Sequence, residues 1–240
     1  KAHLEGFGGV EGVIEGKSEM YLYLSQNNKQ AFINLEDPIQ VEKSKTLQSY
    51  SFGVNKAEAN VNISAVSANP FVVITYSDIT ISTHLIGLYN ANNINAALTI
   101  GKYFHVADTA IKQALESYIP ENNRSQLLTK GTNQIILDAY NANPSSMAVA
   151  IENFVQLENP NKIMILGDMF ELGQESAVEH KSIVTSLLNQ EKVVCHFVGA
   201  AFFANKISKD NFSFYENFES FSAYLKETKM DLENLIRENI

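Results

Sequence analysis

The sequence predicts an α/β protein in two parts, with a mixed sheet in the first half and a doubly wound, mostly parallel sheet in the second. Three observations carry that reading. From Gly131 onward, short apolar runs alternate with segments of helical periodicity, as when helices cover both faces of a parallel sheet. Between Asn60 and Ile86, β-rich segments instead follow one another, and Ile79-Thr80-Ile81-Ser82-Thr83 alternates as an antiparallel strand with one wet face does. The polar stretch Pro120-Glu121-Asn122-Asn123-Arg124-Ser125 lies between them and divides the chain into domains 1–119 and 120–240.

The elements follow in order. A helix is predicted over 9–25, with Val10, Val13, Ile14, Tyr21 and Leu24 as its apolar stripe, then strands over 30–35 and 47–52. After the β-rich stretch come helices over 90–104 and 108–118, the first carrying a small-residue face of Ala91, Ala96 and Ala97. In the second half, strands are expected over 133–138, 162–166, 192–198 and 212–215, with helices over 144–158, 177–190, 200–207 and 217–227. The best-signalled start is that of helix 144–158, where Asn143 serves as cap, Pro144 fits the first position, and Met147, Ile151, Phe154 and Val155 recur on one face. The run Gln134-Ile135-Ile136-Leu137 before it reads as a strand covered on both faces.

A chain of 240 residues with 45% hydrophobic content can bury one large or two ordinary cores. With 18 Lys and Arg against 27 Asp and Glu, a net charge of -9 and no basic stripe, it is not suited to nucleic acid, and small molecules are the expected partners. The single cysteine, Cys195, lies in an apolar run and reads as a core residue; it excludes an internal disulfide and suits a reducing, cytoplasmic setting. No apolar run approaches the roughly 18 residues that a membrane span needs. The chain opens at Lys1-Ala2-His3-Leu4, in what reads as the middle of a structured region, so it is expected to be a fragment.

Chemistry is expected first at Asp138-Ala139-Tyr140-Asn141-Ala142-Asn143-Pro144-Ser145-Ser146-Met147, which joins a strand to a helix start. Free backbone N–H groups and the positive end of the helix dipole there suit a nucleotide or another anion. The loops after Leu137, Leu166 and Val198 are expected to converge on one edge of the second-half sheet. Lys17 falls on the apolar stripe of the first helix. Either its stem snorkels at the stripe's edge, or its amine is desolvated, neutral and able to take up carbon dioxide as a carbamate, a carboxylate that can hold a metal ion. Gly12 to Ser18 imitates a phosphate loop, but three residues separate its glycines where four are needed, and it lies within a helix.

Asn90 and Asn93 stand three apart on one face of a helix start, where they either cap the helix or read a base edge. Arg124 is either a solvated linker residue or a bidentate phosphate ligand. Asp168, Glu171, Ser176 and His180 surround the loop from Gly167 to Gly173, which suits a small zwitterion unless Ser176 simply caps the next helix. His84, His105, His180 and His196 show no metal-ligand spacing.

In their order along the chain, these segments resemble the Mur ligase family of peptidoglycan synthesis, and within it the branch that adds D-alanyl-D-alanine. Ala2-His3-Leu4-Glu5-Gly6-Phe7, followed by Gly16-Lys17-Ser18-Glu19, is similar to the segment in which a histidine helps place magnesium and a lysine fourteen residues later is carbamylated. Gly87-Leu88-Tyr89-Asn90-Ala91-Asn92-Asn93, then Ala96-Ala97, resembles the adenine-side asparagine motif. Asn122-Asn123-Arg124-Ser125-Gln126 resembles the interdomain segment whose arginine meets ATP phosphates. Asp138 to Met147 and Leu166 to Gly173 resemble two loops of the C-terminal domain, the first associated with the nucleotide and the second with the incoming amino component.

The resemblance implies part of a central ATPase-type mixed-sheet domain and a C-terminal Rossmann-like domain, with ATP and Mg2+ as cofactors. It implies Lys17 as carbamate and His3 at the metal, and Lys17, His3 and Arg124 in catalysis. Asn90, Asn93, Arg124, Asp138, Tyr140 and Asn143 would surround the nucleotide, and Asp168, Glu171 and Ser176 the amino substrate. ATP would phosphorylate the carboxylate of UDP-N-acetylmuramoyl-tripeptide, and the D-Ala-D-Ala amine would attack the acyl phosphate, in a monomeric cytoplasmic enzyme. There are departures. The Gly-Thr-Asn-Gly-Lys-Thr phosphate loop and the N-terminal domain are not found, so the chain alone is expected to be inactive; Tyr89 stands where histidine is frequent; and a Lys-Gly-Ser-rich strand and turn is missing between Lys229 and Met230. The alternatives are a sister ligase for another amino acid, against which the segment from Asp138 to Pro144 speaks, and a non-catalytic nucleotide- or peptide-binding module.

Overall fold

A computed structural model describes residues 4–121 and 123–228. They form two compact units, Ile14–Leu137 and a second that joins the residues up to Val13 with those from Asp138 onward. The chain starts with the short helix α1 (Leu4–Phe7) and the long helix α2 (Val10–Gln26). His3 and the Lys229-Met230 junction lie outside the described residues.

In the unit Ile14–Leu137, β1 (Gln30–Asn34), α3 (Pro38–Lys43), β2 (Gln48–Val54), β3 (Val61–Ala68), β4 (Phe71–Tyr76) and β5 (Ile79–Ile86) follow in sequence. The five strands form one mixed sheet in the order β1-β2-β3-β4-β5. Neighbours from β1 to β3 run parallel, and those from β3 to β5 run antiparallel, as the alternation after Asn60 predicts. Ser77 and Asp78 turn β4 into β5 with φ of 42° and 67°, the backbone of a two-residue type I′ hairpin, whose twist matches that of the strands. Helices α4 (Ala91–Tyr103) and α5 (Asp108–Ser117) cover the sheet. Ala91, Ile94 and Leu98 from α4 and Ile111 from α5 join Phe52, Val61, Ile63, Val72, Ile74 and Ile81 in one core. Each such aliphatic side chain contributes about 1.5–3 kcal/mol on burial.

The unit ends in a hairpin of β6 (Gln126–Lys130) and β7 (Asn133–Leu137), a separate two-stranded antiparallel sheet. This corrects the reading of Gln134 to Leu137 as a strand covered on both faces, since no residue of β7 is fully buried. The cause is the pair Gly131-Thr132: Gly131, at φ 62°, supplies the positive dihedral of a two-residue turn and folds the strand back on its predecessor.

In the second unit, α6 (Pro144–Gln156), β8 (Lys162–Gly167), α7 (Ser176–Ser186), β9 (Val193–Val198), α8 (Ala200–Ala204), β10 (Phe212–Tyr215) and α9 (Phe218–Glu227) alternate as predicted. The strands make a parallel sheet in the order β10-β9-β8, with Gly167 beside Val198. Asn143 caps α6 and exchanges hydrogen bonds with Ser146; Asn217 and Ser220 do the same for α9. Met147 and Ile151 of the predicted stripe enter a core with Met164, Ile183, Val184, Leu187, Cys195, Phe197 and Phe202, and Phe154 and Val155 pack against it. Leu4 of α1 is buried in the same core, which places the start of the chain in this unit. The carboxyl ends of β8 and β9 therefore lie side by side, and their two loops meet, whereas the loop after Leu137 leaves from the separate hairpin. Among the described residues no helix is long and apolar enough to cross a membrane.

Candidate functional site

In the unit Ile14–Leu137, the predicted asparagines gather at the start of α4. Asn90 occupies the N-cap position but makes no capping hydrogen bond with its side chain. Its amide nitrogen donates instead to Ile86 O at 2.8 Å and Ser125 Oγ at 3.3 Å, while its Oδ1 accepts from Asn93 Nδ2 at 3.1 Å. Both donor hydrogens of Asn90 are thus committed within the chain, and at 7% exposure it acts as a buried node. Asn93 is exposed and is the member of the pair placed to meet a ligand. Tyr89 Oη is hydrogen-bonded to the same Ser125 Oγ. Ser125 is buried with φ 51°, Asn123 has φ 57°, and exposed Arg124 stands between these two left-handed residues. The structure therefore brings Asn90, Asn93 and the Arg124 segment together.

In the other unit the functional loop follows β8. Asp168 Oδ2 accepts from Ala201 N at 2.9 Å and its Oδ1 from Phe202 N at 3.0 Å, so its carboxylate binds the loop after β9 and the start of α8. Both oxygens serve the fold, and Asp168 braces the two loops. Met169 N donates to His180 Nε2 at 2.9 Å, and His180 Nδ1 lies 2.7 Å from Ser176 O. With its proton on Nδ1, fully buried His180 satisfies both partners; the tautomer follows from these bonds. The 3.6 Å approach of Nε2 to Asp168 Oδ1 is then a contact and not an ion pair, because Met169 N–H occupies that nitrogen. Ser176 is the first residue of α7, and its hydroxyl lies 3.3 Å from His180 Nδ1, so it does not cap the helix.

Met169 and Leu172 are buried at 3% and 4%, and the Phe170 and Glu171 side chains are displayed between them, Glu171 at φ 59°. Backbone N of Glu5 in α1 donates to Glu171 O at 3.4 Å, and Glu5, Gly6, Phe7 and Glu171 line a cavity of about 410 Å³. Asp138 and Tyr140 are exposed in the loop before α6; Asn143 Oδ1 is engaged by Ser146 N at 3.0 Å.

Lys17 is exposed, and α2 contains no buried residue, which fits the reading of a lysine whose stem lies at the stripe's edge. The stripe is apolar, but its members Val13, Ile14, Tyr21 and Leu24 reach only half-burial. Among the described residues no group of three His, Cys, Asp or Glu converges as a metal site. Away from these clusters, burial pushes the Cys195 thiol up to about 11 and lowers His196, which packs among the rings of Tyr215, Phe221 and Tyr224.

Sequence reasoning missed Ser125, Gly199 and the role of His180. A serine beside Arg124 and a glycine directly after a strand were the available signals, but each acquires its meaning from a partner 31 to 36 residues away on another element.

Comparison with known proteins covers most of the chain. The Mur ligase middle domain matches residues 1–101, and the Mur ligase, glutamate ligase domain matches residues 123–234. The UDP-N-acetylmuramoyl-tripeptide--D-alanyl-D-alanine ligase of Bacillus subtilis is 30% identical over 183 residues, 75% of this chain and 40% of that protein. The enzyme of the same name from Haemophilus influenzae is 28% identical over 219 residues, 88% of this chain and 48% of its own length. The chain thus spans about half the length of the curated relatives it matches. Among solved structures, a crystal structure of MurF from Acinetobacter baumannii superposes with a TM-score of 0.78 at 24% identity, over 96% of this chain and 52% of that one. MurF ligase from Thermotoga maritima in complex with ADP gives 0.76 at 21% identity, over 94% and 53%. These structural matches carry the fold.

Proposed function

This chain belongs to the Mur ligase family, and from that premise we propose that it is the central and C-terminal part of an ATP-dependent ligase joining D-alanyl-D-alanine to UDP-N-acetylmuramoyl-tripeptide. The observation that carries the proposal is the hydrogen-bonded node at α4, which holds exposed Asn93, among the residues matched by the middle domain, together with the Arg124 segment, at the start of those matched by the glutamate ligase domain. Asn93 would meet the base and Arg124 the phosphates, and Asn90, Asp138, Tyr140 and Asn143 are the further residues proposed for the nucleotide. A tripeptide carboxylate would attack the γ-phosphorus and release ADP. The D-Ala-D-Ala amine would then attack the acyl carbon, losing a proton and expelling phosphate.

For the amino component we propose the loop that displays Glu171 beside Glu5; Asp168 and Ser176 hold that loop in place. The magnesium that this chemistry implies finds no complete ligand set among the described residues, so no step is assigned to it. Lys17 as a carbamate, with His3, is the proposed metal-binding and catalytic pair of the intact enzyme. We further propose domains 1–119 and 120–240, a monomeric cytoplasmic enzyme, and no nucleic-acid partner.

The test is phosphate release. The intact enzyme, given ATP and UDP-N-acetylmuramoyl-tripeptide, is expected to release phosphate only when D-Ala-D-Ala is added, and this chain alone none. Equal release with L-lysine or diaminopimelate would overturn the substrate assignment.

A further inference from the structure

Ser125 is a buried hydroxyl at 2% exposure whose backbone adopts φ 51°, a region that side chains other than glycine and asparagine seldom enter. Such a conformation persists where surrounding contacts fix it. Two neighbouring side chains of the turn before α4 do so: Tyr89 Oη and Asn90 Nδ2 both bond Ser125 Oγ. Asn90 is held in turn by Ile86 O and receives Asn93 Nδ2, so one bonded series runs Asn93–Asn90–Ser125–Tyr89. Arg124 is the residue adjoining the anchored end of that series.

We propose that Tyr89 and Ser125 are positioning residues of the nucleotide site, latching the Arg124 segment to the amino end of α4 at a fixed distance from Asn93. The proposal rests on the ligase reading and deepens it. A long arginine on an unanchored segment loses backbone and rotamer freedom when it grips a phosphate, and an anchored neighbour removes part of that loss in advance.

Tyr89→Phe keeps the ring and deletes the latch hydroxyl; Ser125→Gly deletes the other and tolerates the left-handed backbone. In the intact enzyme each is expected to raise KM for ATP about fivefold, the size of one lost hydrogen bond, with kcat within about twofold and KM for D-Ala-D-Ala unchanged. In an Arg124→Ala background, Tyr89→Phe is expected to add nothing, because what it positions is gone. Unchanged KM for ATP in the single variants, or full additivity with Arg124→Ala, would overturn the latch. If the wild-type enzyme shows no D-Ala-D-Ala-dependent phosphate release, the functional reading fails by itself. ADP titration of the same variants, which needs no turnover, still decides the latch: a weakened, Arg124-dependent affinity supports it, and an unchanged one sinks it.

Discussion

The carboxylate of Asp168 rests against the backbone of Gly199 so closely that a Cβ at position 199 would stand 2.2 Å from Asp168 Cγ. Gly199 also has φ 134°, which L side chains rarely adopt. The contact lets both carboxylate oxygens reach Ala201 N and Phe202 N, and so ties the loop after β8 to the loop after β9. Gly199→Ala is therefore expected to destabilise the protein by roughly 3 kcal/mol, from backbone strain together with loss of the bonds to Asp168. Asp168→Ala should cost about 2 kcal/mol, and the pair less than the sum, since both remove the same clasp. Denaturant titration of the four proteins measures this, and additive losses would show that the clasp is not shared.

Asn95 on α4 is fully buried, and neither polar atom of its side chain has a hydrogen-bond partner among the described residues. It lies on the helix that carries Ile94 and Leu98 into an aliphatic core. An unpartnered buried amide costs about 1–3 kcal/mol, so Asn95→Leu is expected to raise stability by roughly 1–2 kcal/mol. A higher unfolding midpoint in urea is the expected outcome; a lower one would reveal a polar partner for the amide.

His196 gives the second unit a definite pH response. Burial lowers its folded-state pKa below 6.5, so below that pH the unfolded chain binds protons that the folded chain does not. Stability attributable to His196 is thus present above about pH 6.5 and is lost as pH falls through that value toward the depressed folded pKa. Comparing unfolding free energies of the wild type and His196→Phe from pH 7.5 down to about 5 should show a shallower decline in the variant.

Cys195 is completely buried, and desolvation places its thiol at about 11. At pH 8 a thiol reagent is expected to react with it only as fast as the core opens. Mild denaturant should accelerate labelling in proportion to unfolding, whereas immediate stoichiometric labelling would contradict the burial.

Lys17 is exposed on a helix with no buried residue, where nothing shields a carbamate from water. With carbon-13 bicarbonate, this chain alone should show no carbamate resonance, and the intact nucleotide-bound enzyme should show one that Lys17→Arg removes. An unmodified amine in the intact, nucleotide-bound enzyme would dispose of the assignment.

How much was legible in the sequence depended on whether a residue's partners were local. Asn143, Pro144 and the Met147-Ile151 face announced α6 correctly because a cap, a first-turn proline and a stripe all act within a few residues. Gly131-Thr132 carried an equally local turn signal, and giving weight instead to the apolar run after it assigned β7 to the wrong sheet. Asp168 is the opposite case. As a lone acid in a glycine-bearing loop it looks like a ligand, and only the N–H groups of Ala201 and Phe202, more than thirty residues on, reveal a brace. Lys17 stays open between two readings in the sequence for a further reason: periodicity gives the direction of a side chain but not whether anything lies in front of it.

Helices α6 and α9 are started by amide–hydroxyl exchanges, Asn143 with Ser146 and Asn217 with Ser220, and α6 has no acidic residue in its first turn. The α6 start, from Asn143 to Ser146, contains no group that titrates, whereas α9 carries Glu219 in its first turn. Acidification consequently has no handle on the exchange that starts α6, whereas at α9 it removes the charge of Glu219 from the positive end of the helix, so acid should loosen α9 first. The exchange of Asn143 with Ser146 therefore holds the start of α6, and with it the end of the loop that begins at Asp138, in one geometry at any physiological acidity.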